Sequence, residues 1–171
     1  MCCGKIKLFK LLYLMDFEHF RETGKSVTGL DYQAWKFGPV PVQLATEWEE
    51  PEPELAMAIH ISYERVIDFT RECVIVNDGV EFSDLSFTPR QLRIMESLAT
   101  KYRETLSHKM IDVTHAQNGA WDKVWQGGIG ASRTIPYELA IPEDAAHREE
   151  FLAISNEQKM RRAAQSLCME G

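Results

Sequence analysis

Residues 8–41 read LFKLLYLMDFEHFRETGKSVTGLDYQAWKFGPVP, and we expect the rest of the chain to pack around this stretch. Its first part belongs to a helix predicted over residues 5–23, in which apolar side chains occupy more than one helical face. Those side chains are Ile6, Leu8, Phe9, Leu11, Leu12, Tyr13, Leu14, Met15, Phe17 and Phe20. Other elements must enclose a helix of this kind, so we predict a central core helix that stops near Gly24.

An aromatic segment follows this helix and contains Tyr32, Trp35 and Phe37. Aromatic residues favour extended backbone, so a short strand is predicted here, with a single helical turn as the alternative. The run Gly38-Pro39-Val40-Pro41 then predicts a rigid corner, because proline has no N–H group and cannot continue a helix. Pro41 itself suits the first turn of another short helix.

The second half of the chain is predicted to be mainly helical. Apolar residues flank Asn77-Asp78-Gly79, with Val74, Ile75 and Val76 before it and Val80 and Phe82 after it, and this pattern predicts a β-hairpin. Thr88 begins a helix that runs to about residue 105, since its hydroxyl can cap the helix and Gln91 can complete a capping box. Helices are also predicted from Ser107, over 120–125 and over 143–169, and the glycines of 127–130 predict a flexible connector.

Composition predicts one folded, cytoplasmic domain. The chain has 171 residues, of which 44% are hydrophobic, and this is enough for a core of ordinary size. Lys10, Asp16 and Glu18 interrupt the first helix, so no apolar run is long enough for a membrane span and none is typical of a signal peptide. The 19 basic and 26 acidic residues give a net charge of −7. This charge disfavours nonspecific binding to nucleic acid and suits either solubility or a basic partner.

Few residues have a spacing that suggests chemistry. His108, Asp112 and His115 are four and three residues apart, so a helix would place them on one face where they could ligate a metal ion. Three ligands on one helix need further ligands from elsewhere in the protein. The two-residue gap that lets two cysteines bind one metal ion does not occur among Cys2, Cys3, Cys73 and Cys168. We therefore expect no catalytic residue, metal or cofactor, and keep a metal-dependent hydrolase as an alternative.

A helix-turn-helix DNA-binding regulator is a second alternative, with its two helices in residues 89–119. This segment contains a modest basic cluster, made of Arg90, Arg93, Lys101, Arg103 and Lys109. The negative net charge of the chain opposes this interpretation, because it repels the DNA polyanion.

Several motifs, in order along residues 5–140, resemble the SocA-type antitoxin family, whose shared module is called the Panacea domain. They are the run from Lys10 to Phe20, the run from Gly29-Leu30-Asp31-Tyr32 to Phe37-Gly38-Pro39-Val40-Pro41, Phe87-Thr88-Pro89, and Thr114-His115 to Trp121-Asp122-Lys123-Val124-Trp125. The resemblance depends on their combination more than on any one motif. It implies a Panacea-like antitoxin domain over residues 1–141, with residues 142–171 as a C-terminal helical extension of the same domain.

The resemblance implies a bacterial or phage-borne antitoxin that binds and neutralises a cognate protein toxin. Some members of the family also act as adaptors that deliver the toxin to a Clp protease. A homodimer is compatible with the sequence, and neither nucleic acid nor a membrane is an expected partner.

The residues themselves predict an α+β, mainly α-helical fold, a compact helical domain with a small β-hairpin or short sheet that binds a partner and is not an enzyme. The predicted partner-binding residues are Tyr32, Trp35, Phe37, Gly38 and Pro39. A rigid aromatic surface of this kind loses little entropy when it binds.

Overall fold

The computed structural model describes residues 3–67, 69–116 and 119–169 and is α+β and mainly α-helical, as predicted. In chain order its α-helices are α1 (Lys5–Thr23), α2 (Val42–Thr46), α3 (Pro53–Ala58), α4 (Pro89–Tyr102), α5 (Ser107–Thr114), α6 (Ala120–Trp125) and α7 (Arg148–Met169). Its strands are β1 (Cys3–Gly4), β2 (Tyr32–Trp35), β3 (Gly38–Pro41), β4 (Ile59–Val66) and β5 (Phe69–Val76). The described strands form two antiparallel sheets, one with the order β1-β5-β4 and one made of β2 and β3.

Helix α1 is buried on several faces, which confirms the prediction of a central core helix. In the part of the chain that the structure describes, its side chains belong to three apolar clusters. One cluster contains Tyr13 and Phe17 with Tyr32 and Trp121, the second Phe9 with Val40 and Trp48, and the third Met15 with Ile94 and Leu98. The helix ends where predicted, because Gly24 adopts the left-handed conformation (φ 70°) and its N–H donates to the Phe20 carbonyl at 2.8 Å.

A buried carboxylate ties the loop after α1 back to the helix. Asp16 has no exposed surface, and its Oδ1 accepts hydrogen bonds from the backbone N–H groups of Val27 and Thr28, both at 2.8 Å. Its Oδ2 accepts from the hydroxyl of Thr28 and, at 2.8 Å, from the hydroxyl of Tyr32. A buried carboxylate is tolerated only when its oxygens are hydrogen-bonded in this way. Asp16 therefore fixes both the loop and the first residue of β2.

The run Gly38-Pro39-Val40-Pro41 is strand β3 and not the rigid corner that its prolines predict. It pairs with β2 in the register Ala34↔Pro39 and Tyr32↔Pro41. The two prolines alternate with Gly38 and Val40, so their missing N–H groups fall on the edge that faces away from β2, and an edge strand tolerates proline there. The carbonyl of Pro39 lies on that same edge and accepts from Lys10 Nζ at 2.8 Å.

The predicted hairpin over residues 74–82 is wrong, since β5 pairs with β4, which precedes it. Ile61 and Val74 are cross-strand partners that pack against the cluster of Phe9 and Trp48, whereas Phe82 stays 73% exposed. Burial therefore selects the strand that comes before β5 and not the one predicted after it. Asn77 begins a turn after β5, but its side-chain amide donates to the carbonyls of Ala56 and Met57. These carbonyls belong to the last turn of α3, the helix that precedes β4.

The helices of the second half follow their sequence signals closely. The capping box of α4 is confirmed, because the Thr88 hydroxyl accepts from the Gln91 N–H at 3.3 Å and Gln91 Oε1 accepts from the Thr88 N–H at 2.8 Å. Helix α5 begins at Ser107, although the preceding Leu106 occupies the cap position and makes no side-chain hydrogen bond there. The terminal helix begins at Arg148, five residues later than predicted.

Replacing Asp16 by alanine should lower the free energy of unfolding by about 3 kcal/mol or more, because it leaves the buried Tyr32 hydroxyl and the N–H groups of Val27 and Thr28 without an acceptor. Urea unfolding monitored by circular dichroism measures the change. The matched control is Asp112→Ala, which removes an exposed carboxylate and should change stability by less than about 0.5 kcal/mol. Equal losses in the two variants would contradict the role of Asp16.

Candidate partner-binding site

The β2–β3 hairpin presents two aromatic side chains at its tip. Trp35 pairs with Gly38, and Lys36 and Phe37 form the turn between them. Gly38 has φ 98°, a conformation that favours glycine, and a Cβ atom there would lie 2.8 Å from Lys10 Nζ. The turn therefore needs glycine at this position both for its backbone and for its close approach to Lys10.

Strand alternation separates the five predicted partner-binding residues into two groups. Tyr32 is only 1% exposed and belongs to the core, and Gly38 and Pro39 are also buried. Trp35 is 46% exposed and Phe37 is 61% exposed. Successive residues of a strand point to opposite faces, so Tyr32 and Ala34 face the core while Trp35 faces outward. Of the five residues, only Trp35 and Phe37 have side chains that a partner could contact.

Hydrogen bonds to residues outside the hairpin hold its strands in place. Trp121 Nε1 donates to the Trp35 carbonyl at 3.1 Å, and Lys10 Nζ donates to the Pro39 carbonyl at 2.8 Å. The Ala34 N–H donates to the Arg133 carbonyl at 2.9 Å. The exposed aromatic rings are therefore attached to a backbone that is fixed from both sides, and such a backbone loses little conformational entropy in a contact with another molecule.

Lys10 is a buried amine on α1 that holds strand β3 of this hairpin by its hydrogen bond to the Pro39 carbonyl. Its side chain is only 2% exposed, and burial lowers its pKa to about 7. A buried ammonium is costly unless it is hydrogen-bonded or releases its proton. Sequence analysis placed Lys10 among the polar interruptions of the first helix, and the spacing of residues along α1 alone does not reveal that it reaches the carbonyl of Pro39.

His115 lies at the C-terminal end of α5 and packs flat against Trp121. The two ring centroids are 3.7 Å apart and the rings are within 4° of parallel. Nε2 of His115 is buried and has no hydrogen-bond partner. Burial, together with the positive charge of Lys10, lowers the pKa of this imidazole, although Asp112 and Asp122 act in the opposite direction. The His115 ring therefore packs against the indole of Trp121, and this indole donates the hydrogen bond to the Trp35 carbonyl.

The residues of the predicted metal site are not assembled for metal binding. His108 and Asp112 are exposed on α5, whereas His115 turns toward Trp121. Over residues 3–67, 69–116 and 119–169, no group of three or more histidine, cysteine, aspartate or glutamate side chains is arranged to hold a metal ion. Cys2 lies outside these ranges. The metal-dependent hydrolase therefore has no support in the described residues.

The helix-turn-helix interpretation places α4 and α5 against DNA, and residues 117–118 of its predicted segment lie outside the described residues. The second helix would have to present a basic surface to the major groove. The exposed charged side chains of α5 are Lys109 and Asp112, one of each sign, beside the exposed His108. Arg90 on α4 is paired with Glu22 at 3.3 Å. This charge distribution does not favour DNA recognition.

In the segment after α6, whose glycines predict a flexible connector, Gln126–Gly128 form a short 3-10 helix and Gly130 is buried. A Cβ atom on Gly130 would lie 1.7 Å from the Val124 carbonyl oxygen, and the Gly130 N–H donates to the Trp125 carbonyl at 3.1 Å. Ile129 in this segment is 76% exposed. Sequence analysis missed the pairing of residues 132–135 with β2, because nothing local predicts it.

Comparison with known proteins places most of the chain in one family. The family model described as antitoxin SocA-like, Panacea domain, matches residues 8–122. This range includes most of α1, the β2–β3 hairpin and the start of α6. No curated protein and no solved structure matches the chain. Among the described residues, no helix is both long enough and apolar enough to span a membrane.

The lowered pKa of Lys10 predicts a pH dependence of stability. Between pH 7 and 9 the unfolded chain still binds the proton that folded Lys10 has released, so the free energy of unfolding should rise with pH in this window. The contribution of this one group should be at most about 1.4 kcal/mol per pH unit.

Urea unfolding of wild type and Lys10→Met at pH 7, 8 and 9 measures this slope. The Lys10→Met variant should lack it, whatever its absolute stability, because methionine fills similar space without a titratable group. Lys25→Met, which removes an exposed lysine, is the matched control and should keep the wild-type slope. Parallel curves for wild type and Lys10→Met would contradict the burial of a titrating amine.

Proposed function

The chain belongs to the SocA-like antitoxin family, defined by the Panacea domain, and from this membership we propose that it is the antitoxin of a bacterial or phage-borne toxin–antitoxin system. In this proposal the protein acts in the cytoplasm and neutralises a cognate protein toxin by binding it directly. It acts stoichiometrically and not as an enzyme. Delivery of the bound toxin to a Clp protease is a role implied by the family resemblance.

The observation that supports this proposal most strongly is the fixed hairpin with its exposed Trp35 and Phe37. Both side chains are large, and tryptophan is enriched among the residues that dominate binding energy at interfaces. The hairpin backbone is held by Lys10, Trp121 and Arg133, so little conformational entropy is lost when a partner binds. A surface of this kind suits a protein that blocks its partner by covering the partner's active site or the surface with which the partner contacts its target.

We also propose that residues 142–171 extend the domain formed by residues 1–141. On α7, Ser155 Oγ donates to Glu138 Oε1 at 2.9 Å, and Lys159 forms an ion pair with the same carboxylate. A Cβ atom on Gly24 would lie 2.5 Å from the Phe151 carbonyl oxygen, which shows how closely α7 approaches the end of α1. These contacts support one folded unit.

The test is co-expression with the protein encoded by the reading frame next to this gene. Wild type should restore the growth of cells that produce this neighbour, and Trp35→Ala combined with Phe37→Ala should abolish the rescue. The affinity measured by calorimetry should fall by about 30-fold or more, which corresponds to the loss of one dominant contact of about 2 kcal/mol. The matched control is Tyr63→Ala, since Tyr63 is 61% exposed, like Phe37, but lies on β4.

Each part of the proposal has its own contradicting result. A wild-type protein that neither binds nor neutralises the neighbour's product would contradict the antitoxin function. A double variant that keeps its wild-type melting temperature and still neutralises the toxin would contradict the hairpin tip as the binding site.

A further inference from the structure

We propose that two copies of the chain form a two-fold symmetric dimer through strand β4, whose free edge pairs with the same edge of the second copy. The two strands run antiparallel, and Ser62 lies on the dimer axis opposite Ser62 of the second copy. The contact is made by residues 57–67 and is separate from the β2–β3 hairpin, so it does not depend on the proposed function.

Strand β4 is an edge strand with one unpaired side. In the described part of the chain the sheet has the order β1-β5-β4, and β4 forms its ladder with β5 alone. No described residue outside this sheet forms a backbone hydrogen bond with residues 60–66. An edge of this length offers a row of backbone donors and acceptors to another strand. Neither proline nor lysine, which commonly protect such an edge, occurs in β4.

The outward-facing backbone groups of β4 belong to its odd-numbered residues. The Asn77 N–H donates to the Ala58 carbonyl at 2.9 Å, and this pair continues the register of the two strands. Hydrogen-bonded pairs alternate along an antiparallel ladder, so the even-numbered residues of β4 bond to β5. The Ile59 N–H accordingly points away from β5 and donates to the Leu55 carbonyl. The remaining odd-numbered residues of β4 therefore direct their N–H and carbonyl groups at the open side.

A register centred on Ser62 matches these groups with one another. Ile61 of each copy lies opposite Tyr63 of the other, and the two residues exchange both of their outward hydrogen bonds. Their side chains lie on the face of the sheet that packs against Phe9 and Trp48, because Ile61 contacts that cluster. Tyr63 is 61% exposed in the single protomer, and in the dimer it covers Ile61 of the second copy.

The same register places His60 opposite Glu64 of the second copy, on the other face of the sheet. The Asn77 amide nitrogen donates to two carbonyls, so its Oδ1 is the acceptor of the 2.7 Å hydrogen bond with His60 Nδ1. His60 is exposed, and protonation of its ring makes Nε2 a second donor that suits a carboxylate. Glu64 is ion-paired with Arg71, its neighbour on β5. In the dimer the Glu64 carboxylate therefore lies between Arg71 of its own chain and His60 of the second copy.

Other registers of the same pairing fit less well. Centring it on Tyr63 puts Arg65 opposite Ile61 and leaves its charge unmatched, and centring it on Glu64 puts two carboxylates opposite each other. Centring it on Ile61 shortens the paired stretch from residues 59–65 to residues 59–63. A strand of a different protein would need its own matching order of apolar, acidic and basic side chains, whereas a second copy carries that order already. This self-complementarity favours a second copy as the occupant of the edge.

Two exposed apolar side chains lie just beyond the ends of the paired strands. Met57, near the end of α3, is 69% exposed, and Ile67, directly after β4, is 93% exposed. Because the strands are antiparallel and centred on Ser62, the end of β4 next to Met57 lies beside the end next to Ile67 of the second copy. Each end of the interface therefore brings together two apolar side chains that the single protomer leaves in water.

Sedimentation equilibrium of the full chain at about pH 6, where histidine side chains are mostly protonated, measures the dimer. Protein concentrations up to about 1 mM are needed, because pairing of one strand buries a small area and gives a weak complex. The fraction of dimer in the wild type should rise over this range. Tyr63→Pro should leave only monomer, since it removes an outward N–H group and leaves the ladder with β5 intact.

Two substitutions of His60 are matched controls for each other, because both remove its hydrogen bond with Asn77 and they differ in the sign of the charge. His60→Glu places like charges opposite each other and should raise the dissociation constant of the dimer by about fivefold or more. His60→Lys keeps a positive charge opposite Glu64 and should leave the dissociation constant unchanged or lower it. Thermal melting followed by circular dichroism checks that each variant is folded.

Photocrosslinking from p-benzoylphenylalanine at the position of Tyr63, in an equimolar mixture of isotopically light and heavy protein, tests the register. Peptides that join a light and a heavy chain should connect this position with residues 59–65 of the other copy. A monomer at every concentration, equal effects of His60→Glu and His60→Lys on the dissociation constant, or crosslinks between copies that lie outside β4 would overturn the proposal.

The dimer and the antitoxin function fail separately. Because the dimer contact is separate from β2–β3, Tyr63→Ala should weaken the dimer and still neutralise the toxin. Failure of the wild type to neutralise the neighbouring gene product would contradict the antitoxin function alone and leave the sedimentation and crosslinking results unchanged.

Discussion

The carboxylate of Asp16, buried inside a helix that is apolar on several faces, is the interaction on which the rest of the structure depends. It accepts hydrogen bonds from the backbone of Val27 and Thr28 and from the side chains of Thr28 and Tyr32. Tyr137, more than a hundred residues along the chain, reaches the same carboxylate at 3.4 Å and donates to the Leu30 carbonyl at 2.6 Å. One charged group thereby organises the end of α1, the loop after it and the start of β2.

The position of the proposed binding surface follows from this buried group. Because the Tyr32 hydroxyl is bound to Asp16, the side chain of Tyr32 must point into the core, and strand alternation then directs Trp35 outward. Lys10 and Trp121 hold the two strands of the hairpin from the core side, through the carbonyls of Pro39 and Trp35. The most buried polar groups of α1 therefore determine which aromatic rings reach the surface. The core packing and the proposed binding surface therefore share the same short hairpin.

The sequence predicts local features well and long-range pairings poorly. The burial of α1 and the capping box at Thr88 each depend on residues within about one or two helical turns, and both are present in the structure. The pairing of β5 with β4 depends on the apolar cluster around Phe9 and Trp48, which lies far away in the chain. Asn77-Asp78-Gly79 has ordinary turn chemistry, so only tertiary packing distinguishes the real hairpin from the predicted one.

The same division applies to the candidate site. Rigid aromatic character in residues 32–39 is visible in the sequence, but which rings are exposed depends on the partner of the Tyr32 hydroxyl, and that partner lies 16 residues away on α1. The pairing of residues 132–135 with β2 was also missed, because the glycine-rich segment before them gives no local sign of it.

Hydrogen exchange of the Val27 and Thr28 backbone amides, followed by NMR, tests the central role of Asp16 most directly. Both amides lie in a loop, and loop amides ordinarily exchange quickly. If the buried carboxylate anchors this loop, the two amides should exchange only when the whole domain unfolds, with the same free energy as the slowest amides of α1. Exchange of Val27 and Thr28 at the rate of an amide in the exposed segment before α4, such as that of Ser83, would contradict the account.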